Sequence, residues 1–415
     1  MARLEEIYQR LLRAEMAGKK EEEIRKIQEE DHGLEELSCL LHPEKHPVVW
    51  KFGHCTCEPK EQHSCVDGCD FGAIRFCDGD AKIDAHECVG CCACIDRCED
   101  KRITESKDVF SVIKTLREKE GPVYALIAPA FIGQFDKKVT PAKLRSAFQK
   151  IGFDGMIEVA LFADILTLKE AFEFDHNIKT ESDYQLTSCC CPMWIAMIKK
   201  IYHELLPHVP GAVSPMIACG RTVKFLYPKA KTVFIGPCIA KKAEAREADL
   251  VGAIDHVLTF RETQDIFDAL SIDPALLPGT EKDHSSRAGR IYARAGGVSE
   301  AVKETVREIS PDRPITVRTK HADGVPACRA MIQEILEQRS TANFYEGMGC
   351  VGGCVGGPKA ILNREEGKEN VDRYGDEARF LTPINNPYVV ELLQRLGYDT
   401  VESLLCESDI FTRKL

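Results

Sequence analysis

The chain has 415 residues, of which 44% are hydrophobic and 29% are charged, and its formal net charge at pH 7 is −11. This length allows two or three domains with a sizeable core, and the composition is that of a globular protein. The acidic balance argues against a role in nucleic-acid binding. The apolar runs all fall short of the ~18 residues that a membrane span needs.

Cysteine is the unusual component of the composition, with 20 residues. Small secreted proteins carry many cysteines as disulfides, but this chain is far longer than such scaffolds. Its first residues form a charged helical pattern that is unlike a signal peptide. We therefore expect a cytoplasmic protein whose cysteines stay reduced and bind metal.

The chain is predicted to have three regions, and the first two precede residue 106. Residues 1–40 are expected to form one or two charged amphipathic helices that pack on the rest of the chain, because apolar residues recur there at helical spacing. These residues are Leu4, Ile7, Leu11 and Leu12. Residues 41–105 form a cysteine-dense region, which begins after two His-Pro steps that break the helical pattern.

The cysteine-dense region contains a C-x2-C-x2-C-x3-C run, the spacing of bacterial ferredoxins. In such a run one tight loop holds three thiolates on one cubane cluster, and the fourth cysteine serves a neighbouring cluster. This crosswise rule predicts two [4Fe-4S] clusters. The first predicted ligand set is Cys69, Cys88, Cys91 and Cys94, and the second is Cys55, Cys57, Cys65 and Cys98. Cys77 and Cys92 are then expected to be spare thiols.

Residues 106–415 form the third region, where apolar strand patterns alternate with helical ones. Strands are predicted at 123–127, 156–161, 231–235 and 315–318. Helices are predicted at 141–151, 163–174, 299–309, 327–338 and 388–396. This alternation favours an α/β domain of parallel sheets flanked by helices, with the functional loops at strand ends.

Three loops of the third region carry cysteines in unusual settings: TSCCCPMW at 187–194, GPCIAKKAE at 236–244 and EGMGCVGGC at 346–354. Together they offer four thiolates, from Cys191, Cys238, Cys350 and Cys354. Four thiolates suit either a cubane iron–sulfur cluster or a tetrahedral zinc ion. The ferredoxin spacing and the want of paired zinc-finger histidines both argue against a zinc-binding structural protein.

The three loops resemble the signature motifs of [FeFe]-hydrogenases, and the region ahead of them resembles the electron-input domain of that family. The resemblance implies a catalytic domain of two lobes with the active site between them, preceded by a small α+β ferredoxin-like domain. It implies an H-cluster, in which a [4Fe-4S] part is bound by the four cysteines. Through Cys354 this part would join a diiron subcluster that carries CO, cyanide and a dithiolate amine.

The resemblance also implies roles for residues around the diiron unit. Lys241 would donate a hydrogen bond to one cyanide, and Met348 would pack near the bridging CO. The residues expected to line the remaining pocket are Ala128, Pro129 and Ser214. Cys190 matches the proton-shuttling cysteine of the family, and the segment that contains Glu170 and Glu173 resembles its relay helix. The i, i+3 spacing puts both carboxylates on one face, although a solvated helix face is the ordinary explanation for two such glutamates.

The sequence also departs from the family pattern. Cys189 is an additional cysteine in the first motif, and Gly236 stands where many members have methionine. Met216 replaces a polar residue of a pocket segment. In the ferredoxin-like region, Asp70 and Glu99 follow Cys69 and Cys98 where proline is usual. These departures indicate a divergent subgroup.

The function that these patterns favour is reversible reduction of protons to H2, with electrons exchanged with a ferredoxin-type carrier through the two N-terminal clusters. Dedicated maturation proteins would supply the diiron unit. One alternative is a non-catalytic cluster-assembly factor of the same family, which lacks the diiron site and the proton relay. Another is an H2 sensor, which alters the shuttle cysteine. The presence of Cys190, Lys241, Glu244, Met348 and both glutamates favours catalysis.

Overall fold

The structure is a computed structural model that describes residues 2–30, 34–57, 63–187, 190–279, 282–406 and 408–415. Cys189 lies outside these described residues. Three helices open the chain: α1 (Ala2–Met16), α2 (Lys20–Glu29) and α3 (Leu34–Leu41). The apolar stripe of α1 is buried, with Leu11 fully covered. Tyr8 anchors the helix to the third region, because its hydroxyl donates a 3.0 Å hydrogen bond to Asp265.

The cysteine-dense region is built from two small antiparallel strand pairs and two short helices. In chain order its elements are β1 (Val49–Lys51), α4 (Ser64–Asp67), β2 (Ile74–Cys77), β3 (Asp80–Ile83), α5 (Ala93–Arg97) and β4 (Ile103–Glu105). Strand β1 pairs with β4, and β2 forms a hairpin with β3. This is the α+β arrangement expected for the ferredoxin-like part.

Two parallel sheets form the framework of the third region. The larger sheet has the order β6-β5-β8-β9, and its strands are β5 (Val123–Ile127), β6 (Gly155–Glu158), β8 (Lys231–Gly236) and β9 (His256–Thr259). The smaller sheet has the order β10-β11-β7, and its strands are β7 (Gln185–Leu186), β10 (Thr319–Asp323) and β11 (Phe344–Met348). Every recorded pairing within these two sheets is parallel.

Helices flank the sheets, which confirms the predicted α/β class. They are α6 (Val109–Arg117), α7 (Pro141–Ile151), α8 (Ala160–Asn177), α9 (Pro192–Lys200), α10 (Pro215–Leu226), α11 (Ala240–Glu244), α12 (Phe260–Ala269), α13 (Arg287–Arg290), α14 (Gly297–Ile309), α15 (Val325–Leu336), α16 (Arg364–Asp376), α17 (Pro387–Arg395) and α18 (Val401–Leu405). Within the part of the chain that the structure describes, no helix has the length and apolar character to cross a bilayer.

The predicted bounds of two strands are wrong. The strand predicted at 156–161 ends at Glu158, because Ala160 already belongs to α8, whose N-terminal turns are as apolar as a buried strand. The strand predicted at 315–318 lies at Thr319–Asp323 instead. Ile315 and Val317 are buried in the core, but pairing with β11 begins only at Thr319.

The topology brings the motif loops together. Strand β8 runs into Pro237-Cys238, β11 runs into Gly349-Cys350, and β7 is followed by the first motif. Strand β5 likewise ends before Ala128-Pro129. All of these loops leave carboxyl ends of parallel strands, where α/β proteins bind their ligands.

Candidate metal centres and proton path

The four cysteines of the three motifs form one cage, called here the four-cysteine cage. Cys191 precedes Pro192 at the start of α9, and its sulfur accepts a 3.2 Å hydrogen bond from the Gly349 amide. Burial raises the pKa of Cys350 well above its usual value, and the neighbouring thiols of Cys238, Cys191 and Cys354 raise it further. The mutual influence of the four sulfurs places them around one centre.

The spacing of this cage is wider than a single zinc ion requires. Tetrahedral zinc holds thiolates at 2.3 Å, which puts their sulfurs ~3.8 Å apart. Among the described residues, the only group of three or more potential donor atoms that lie within 4.8 Å of one another is Cys55, Cys57 and Asp100. No three sulfurs of the four-cysteine cage are that close together. Four partly buried thiols at this wider spacing fit a cubane cluster, whose irons lie between the ligands.

Glycines let the first and third motifs interlock beside the cage. A Cβ on Gly347 would lie 2.0 Å from the Trp194 ring, and one on Gly349 would lie 2.6 Å from Met193 Cβ. Trp194 is almost fully buried, and its indole nitrogen donates a 3.0 Å hydrogen bond to the Thr187 carbonyl. The glycines of the third motif are therefore required by close packing.

Cys190 lies beside the cage and not among its ligands. Its sulfur is 3.9 Å from the sulfur of Met348, which is also buried. Burial raises the pKa of Cys190 well above its usual value, and Cys191, Glu346, Cys354 and Glu170 add to the effect. The protonated form of Cys190 is therefore favoured, as burial also favours it for Cys350 and Cys354 of the cage.

Glu170 and Glu173 lie inside the protein and not on a solvated helix face. Glu170 is fully buried, and the Glu173 side chain is only 12% exposed. Lys169 is also buried, and its ammonium lies 2.5 Å from the Glu173 carboxylate. Burial raises the pKa of Glu173, while the charge of Lys169 opposes this shift. Residue Lys169 was missed by the sequence analysis, although its i, i+4 spacing from Glu173 is a recognisable ion-pair signal.

A third buried carboxylate, Glu346, was also missed. It belongs to the third motif and accepts backbone hydrogen bonds from Gly296 at 2.9 Å and Ser299 at 2.7 Å. These amides are at the N-terminus of α14, where a negative charge is favoured. Burial nevertheless raises the pKa of Glu346 overall. Glu346 thus links the third motif to α14 and contributes negative potential at Cys190.

Lys241 and Lys242 are adjacent, buried and turned to different partners. Lys241 forms a 2.6 Å ion pair with Glu244. Burial alone would lower the pKa of Lys241, but Glu244 and the thiols of Cys238 and Cys354 raise it overall. Lys241 is therefore a fixed cation beside the cage.

Lys242 instead joins the second motif to the segment that leaves the ferredoxin-like region. Its ammonium donates to the Ser106 carbonyl at 2.8 Å and to Glu262 at 3.0 Å, and lies 3.4 Å from Asp108. The Asp108 amide in turn donates to Glu262 at 2.9 Å. This network fixes the start of the third region against the loop that carries Cys238.

The predicted pocket-lining residues lie at the same carboxyl ends. A Cβ on Gly236 would lie 3.1 Å from the Ala128 Cβ and 2.8 Å from the Phe234 ring. The Phe234 ring therefore occupies the room beside Gly236 that a larger side chain would need. Pro129 begins the short turn after Ala128. Ser214 is buried and caps α10 through a 3.4 Å hydrogen bond from the Ile217 amide, which gives it a structural partner.

The predicted cluster ligands of the ferredoxin-like region line two separate cavities in the crosswise pattern. One cavity, called here the proximal site, is lined by Cys69, Cys88, Cys91 and Cys94 together with apolar side chains. A second cavity, the distal site, is lined by Cys55, Cys57, Cys65 and Cys98 with polar neighbours. Each cavity thus has the four thiols that a cubane cluster needs. Cys92 also lines the proximal site, and Cys77 is exposed.

The proximal site touches the four-cysteine cage. A Cβ on Gly90 would lie 3.1 Å from the Ala240 Cα, so the proximal loop packs on the backbone of α11. Cys91 contributes to the raised pKa of Cys350. On another side, the guanidinium of Arg329 donates a 2.7 Å hydrogen bond to the Asp70 carbonyl and lies 3.3 Å from its carboxylate. The aspartate in the usual proline position therefore anchors the ferredoxin-like region to α15.

Comparison with known proteins assigns the fold to a family. The sequence profile described as "Iron only hydrogenase large subunit, C-terminal domain" matches residues 121–358, more than half of the chain. The chain belongs to the iron-only hydrogenase family. Its match spans all three cysteine motifs.

Curated relatives of this iron-only hydrogenase family member include enzymes and an assembly protein. Iron hydrogenase 1 of Clostridium pasteurianum is 27% identical over 303 residues, which are 61% of this chain and 53% of the relative. The periplasmic [Fe] hydrogenase large subunit of Nitratidesulfovibrio vulgaris is 29% identical, over 61% of this chain and 72% of the relative. Cytosolic iron-sulfur assembly component 3 of Rattus norvegicus is 24% identical, over 76% of this chain and 80% of the relative. The chain thus spans about half of the first of these hydrogenases.

Solved structures show the same fold. The [FeFe]-hydrogenase HydA1 of Chlamydomonas reinhardtii has a TM-score of 0.59 at 21% identity, and the match covers 74% of this chain and 98% of that one. A structure of HydA(deltaEFG), described as showing stepwise H-cluster assembly, has a TM-score of 0.62 at 22% identity with the same coverage. The α/β catalytic domain of the family is therefore present in this member.

Proposed function

We propose that the protein is an [FeFe]-hydrogenase that interconverts H2 with protons and electrons. The observation that carries the proposal is the contact between Cys190 and Met348 beside the four-cysteine cage, backed by the fully buried Glu170. Burying titratable groups costs free energy, and such groups cluster at functional sites. A protein that only held a cluster would need the four cysteines but no buried acids behind them.

An H-cluster bound at this cage would supply the iron centre at which H2 is made and split. Its [4Fe-4S] part would be held by Cys191, Cys238, Cys350 and Cys354. Lys241 is positioned to recognise an anionic ligand such as cyanide, because it is a buried cation that Glu244 orients. Met348 and Ala128 would close the pocket with apolar surface and exclude water.

The chain's own groups provide a route for protons. Glu173 is the most accessible of the three, Glu170 is fully buried on the same helix, and Cys190 lies at the inner end. The charge of Glu170 is among those that raise the pKa of Cys190, which supports this order. In the proposed relay, a carboxyl oxygen of Glu173 takes a proton from the solvent side, Glu170 passes it inward, and the Cys190 sulfur delivers it.

Electrons would move through the ferredoxin-like region. The proximal site packs on α11 and so lies next to the cage, while the distal site opens towards solvent through a polar rim. With a [4Fe-4S] cluster in each site, electrons would pass from the distal site to the proximal site and then to the four-cysteine cage. A ferredoxin-type carrier in the cytoplasm is the proposed partner, and maturation proteins would install the diiron unit.

Infrared spectroscopy tests this proposal. The full chain is produced anaerobically with hydrogenase maturation proteins, and its spectrum is recorded between the amide and S–H regions. We expect bands from iron-bound CO and cyanide, together with H2 formation from a reduced electron donor. Fully iron-loaded protein that lacks both would overturn the proposal.

The second candidate function is cluster assembly without hydrogen chemistry. The observation that favours it is similarity, since the rat assembly component matches 76% of this chain and the clostridial hydrogenase matches 61%. This function needs the cysteines of the cage but not Cys190, Glu170 or Lys241. Iron-loaded protein without CO and cyanide bands, in which those three residues can be replaced without effect, would identify this second function.

A further inference from the structure

The loop that carries Cys55 and Cys57 has an unusual hydrogen-bonding pattern. The Cys55 amide donates to the Asp80 carboxylate at 2.9 Å. The Thr56 amide donates to the Asp100 carboxylate, and the Cys57 amide donates to the same oxygen at 3.0 Å. Two carboxylates therefore accept all three backbone N–H groups of this ligand loop.

Both sites have backbone donors to sulfur, since in the distal site Cys98 accepts a 3.3 Å hydrogen bond from the Arg102 amide. The proximal site differs in its ligand loop. Its ligands receive backbone hydrogen bonds within their own loops: Gly90 lowers the pKa of Cys88, and Ala93 lowers that of Cys91, in each case against the larger effect of burial. The Cys69 sulfur accepts a 3.2 Å hydrogen bond from the Ala73 amide. Such N–H groups stabilise the extra negative charge of a reduced cluster and raise its potential. In the loop of Cys55 and Cys57 the backbone N–H groups donate to the carboxylates of Asp80 and Asp100 instead.

The carboxylate of Asp100 is also close to the sulfurs themselves. One of its oxygens lies within 4.8 Å of both the Cys55 and the Cys57 sulfur, and the residue lines the distal cavity. An aspartate carboxylate that accepts two backbone N–H groups is charged at neutral pH. At such separations a unit charge acts strongly on the redox equilibrium of a partly buried centre.

Two cations lie near these carboxylates but do not cancel the effect of the Asp100 charge on the redox equilibrium. Lys51 lies 2.9 Å from Asp80, and Arg102 lies 3.9 Å from Asp100, at the limit of an ion pair. His54 lies 3.5 Å from Asp80 but is 95% exposed. The charge of Asp100 is therefore the less completely compensated of the two.

We propose that Asp100, assisted by Asp80, lowers the reduction potential of the distal cluster. The two aspartates are positioning residues, since they act on the cluster through the ligand loop and through their charge. The inference rests on the part of the proposed function that places a [4Fe-4S] cluster in the distal site. Its consequence is that an electron at the distal cluster is held weakly and is readily passed inward to the proximal site.

Redox titration of the full chain, reconstituted with iron and sulfide but without the diiron unit, tests the inference. The signals of the two N-terminal clusters are followed by electron paramagnetic resonance and assigned with Cys65→Ser and Cys94→Ser. Asp100→Asn retains an acceptor for the Thr56 and Cys57 amides but removes the charge. We expect its distal midpoint potential to move positive while the proximal one stays constant, and Asp80→Asn to act in the same direction.

Two further variants separate electrostatics from folding. Arg102→Met should move the distal potential negative, the opposite direction, because it removes the partial compensation of Asp100. Asp78→Asn is the matched control. Asp78 lies in the turn between β2 and β3, close to Asp80, and its side chain is 86% exposed. Among the described residues its ion-pair partner is Lys82, at 3.1 Å. An unchanged distal potential in Asp100→Asn would overturn the inference. If that variant fails to hold the cluster, an unchanged potential in Arg102→Met would overturn it.

Sulfide analysis distinguishes this failure from failure of the proposed function. Three cubane clusters contain about twelve sulfides per chain. A content of about eight, with a single metal ion on Cys55, Cys57 and Asp100, would overturn the inference together with the distal cluster. It would leave the cage, the proximal site and the proposed hydrogenase activity untouched.

Discussion

The sulfur of Cys190 in the first motif lies 3.9 Å from the sulfur of Met348 in the third. A thiol that keeps its proton is thereby held against the residue expected to face the diiron unit. Replacement by alanine should leave the cage intact but remove the last proton carrier. We expect Cys190→Ala to lower H2 turnover about 100-fold or more, the usual contribution of a positioned acid or base.

The measurement for Cys190 combines H2 assays with infrared spectra. CO and cyanide bands at the same positions in the unchanged protein and in Cys190→Ala would show that both bind the cofactor. Cys219→Ala provides a matched control, because Cys219 is also buried, on α10, but burial alone raises its pKa. Normal turnover in Cys190→Ala would contradict the relay.

The pair formed by Lys169 and Glu173 predicts a pH effect. Burial raises the pKa of Glu173, and the charge of Lys169 limits the rise. Lys169→Met removes that charge, so the carboxyl should retain its proton to higher pH. We expect the alkaline limb of the rate profile for H2 formation to move to higher pH in this variant.

Glu173→Gln and Glu170→Gln complete the test of the relay. A glutamine cannot take up and release a proton as a carboxyl group does, so both variants should slow turnover. In the double variant Lys169→Met with Glu173→Gln, the alkaline limb of the rate profile should no longer be displaced to higher pH. The rate profile is measured with the same electron donor throughout. An unchanged profile in Lys169→Met would show that Glu173 does not limit proton delivery.

The ion pair of Lys241 and Glu244 predicts a separation of stability from cofactor binding. Both side chains are less than 10% exposed, so removing one partner leaves a buried charge. Lys241→Met or Glu244→Gln alone should cost about 3–5 kcal/mol of folding free energy. The double variant should recover most of that loss, because no charge remains buried.

Retention of the diiron unit should follow a different order. It should be lost in Lys241→Met and in the double variant, since both lack the cation, but largely kept in Glu244→Gln. Thermal unfolding and the infrared bands report the two properties separately. Normal bands in the double variant would exclude a role for Lys241 in holding the cofactor.

The contact of Gly90 with Ala240 predicts a defect in electron transfer alone. Gly90 has a φ of +72°, and a Cβ would meet the α11 backbone at 3.1 Å. Gly90→Val should push the proximal loop away from the cage. We expect slower turnover with an external electron donor but normal exchange of deuterium between D2 and water, which needs no electrons from the ferredoxin-like region.

Gly79→Val is the control for Gly90. Gly79 has a similar φ of +76° but nothing within 4 Å of its Cβ position, so it carries the same backbone strain without the close contact. Equal losses in both variants, or a loss of deuterium exchange in Gly90→Val, would contradict the proposed electron route.

Sequence patterns predicted the parts of this protein that depend on local spacing. Strand β5 and helix α7 have the predicted bounds, because apolar alternation and a Thr-Pro helix start are local signals. The parallel α/β class and the family are confirmed. The motif cysteines were recognisable because thiols at such spacings have few other uses.

The rest depends on contacts between distant segments. Asp100 and Asp80 accept hydrogen bonds from a loop more than 20 residues away in the chain, and no spacing indicates this. Arg329 reaches Asp70 across 259 positions. Glu346 belongs to the third motif, but its burial under α14 depends on how the two sheets are placed and could not be predicted from the motif.

The opposite orientations of Lys241 and Lys242 determine how far the protein can be shortened. The family profile begins at residue 121, yet the ammonium of Lys242 is held by the Ser106 carbonyl and lies 3.4 Å from Asp108. A fragment cut at residue 121 would lack Ser106 and Asp108 and would leave Lys242 with Glu262 alone of these three partners, one residue away from the cation that faces the cage. The smallest stable form of the family domain in this chain is therefore expected to start before Ser106, within the segment that connects the ferredoxin-like region to the third region.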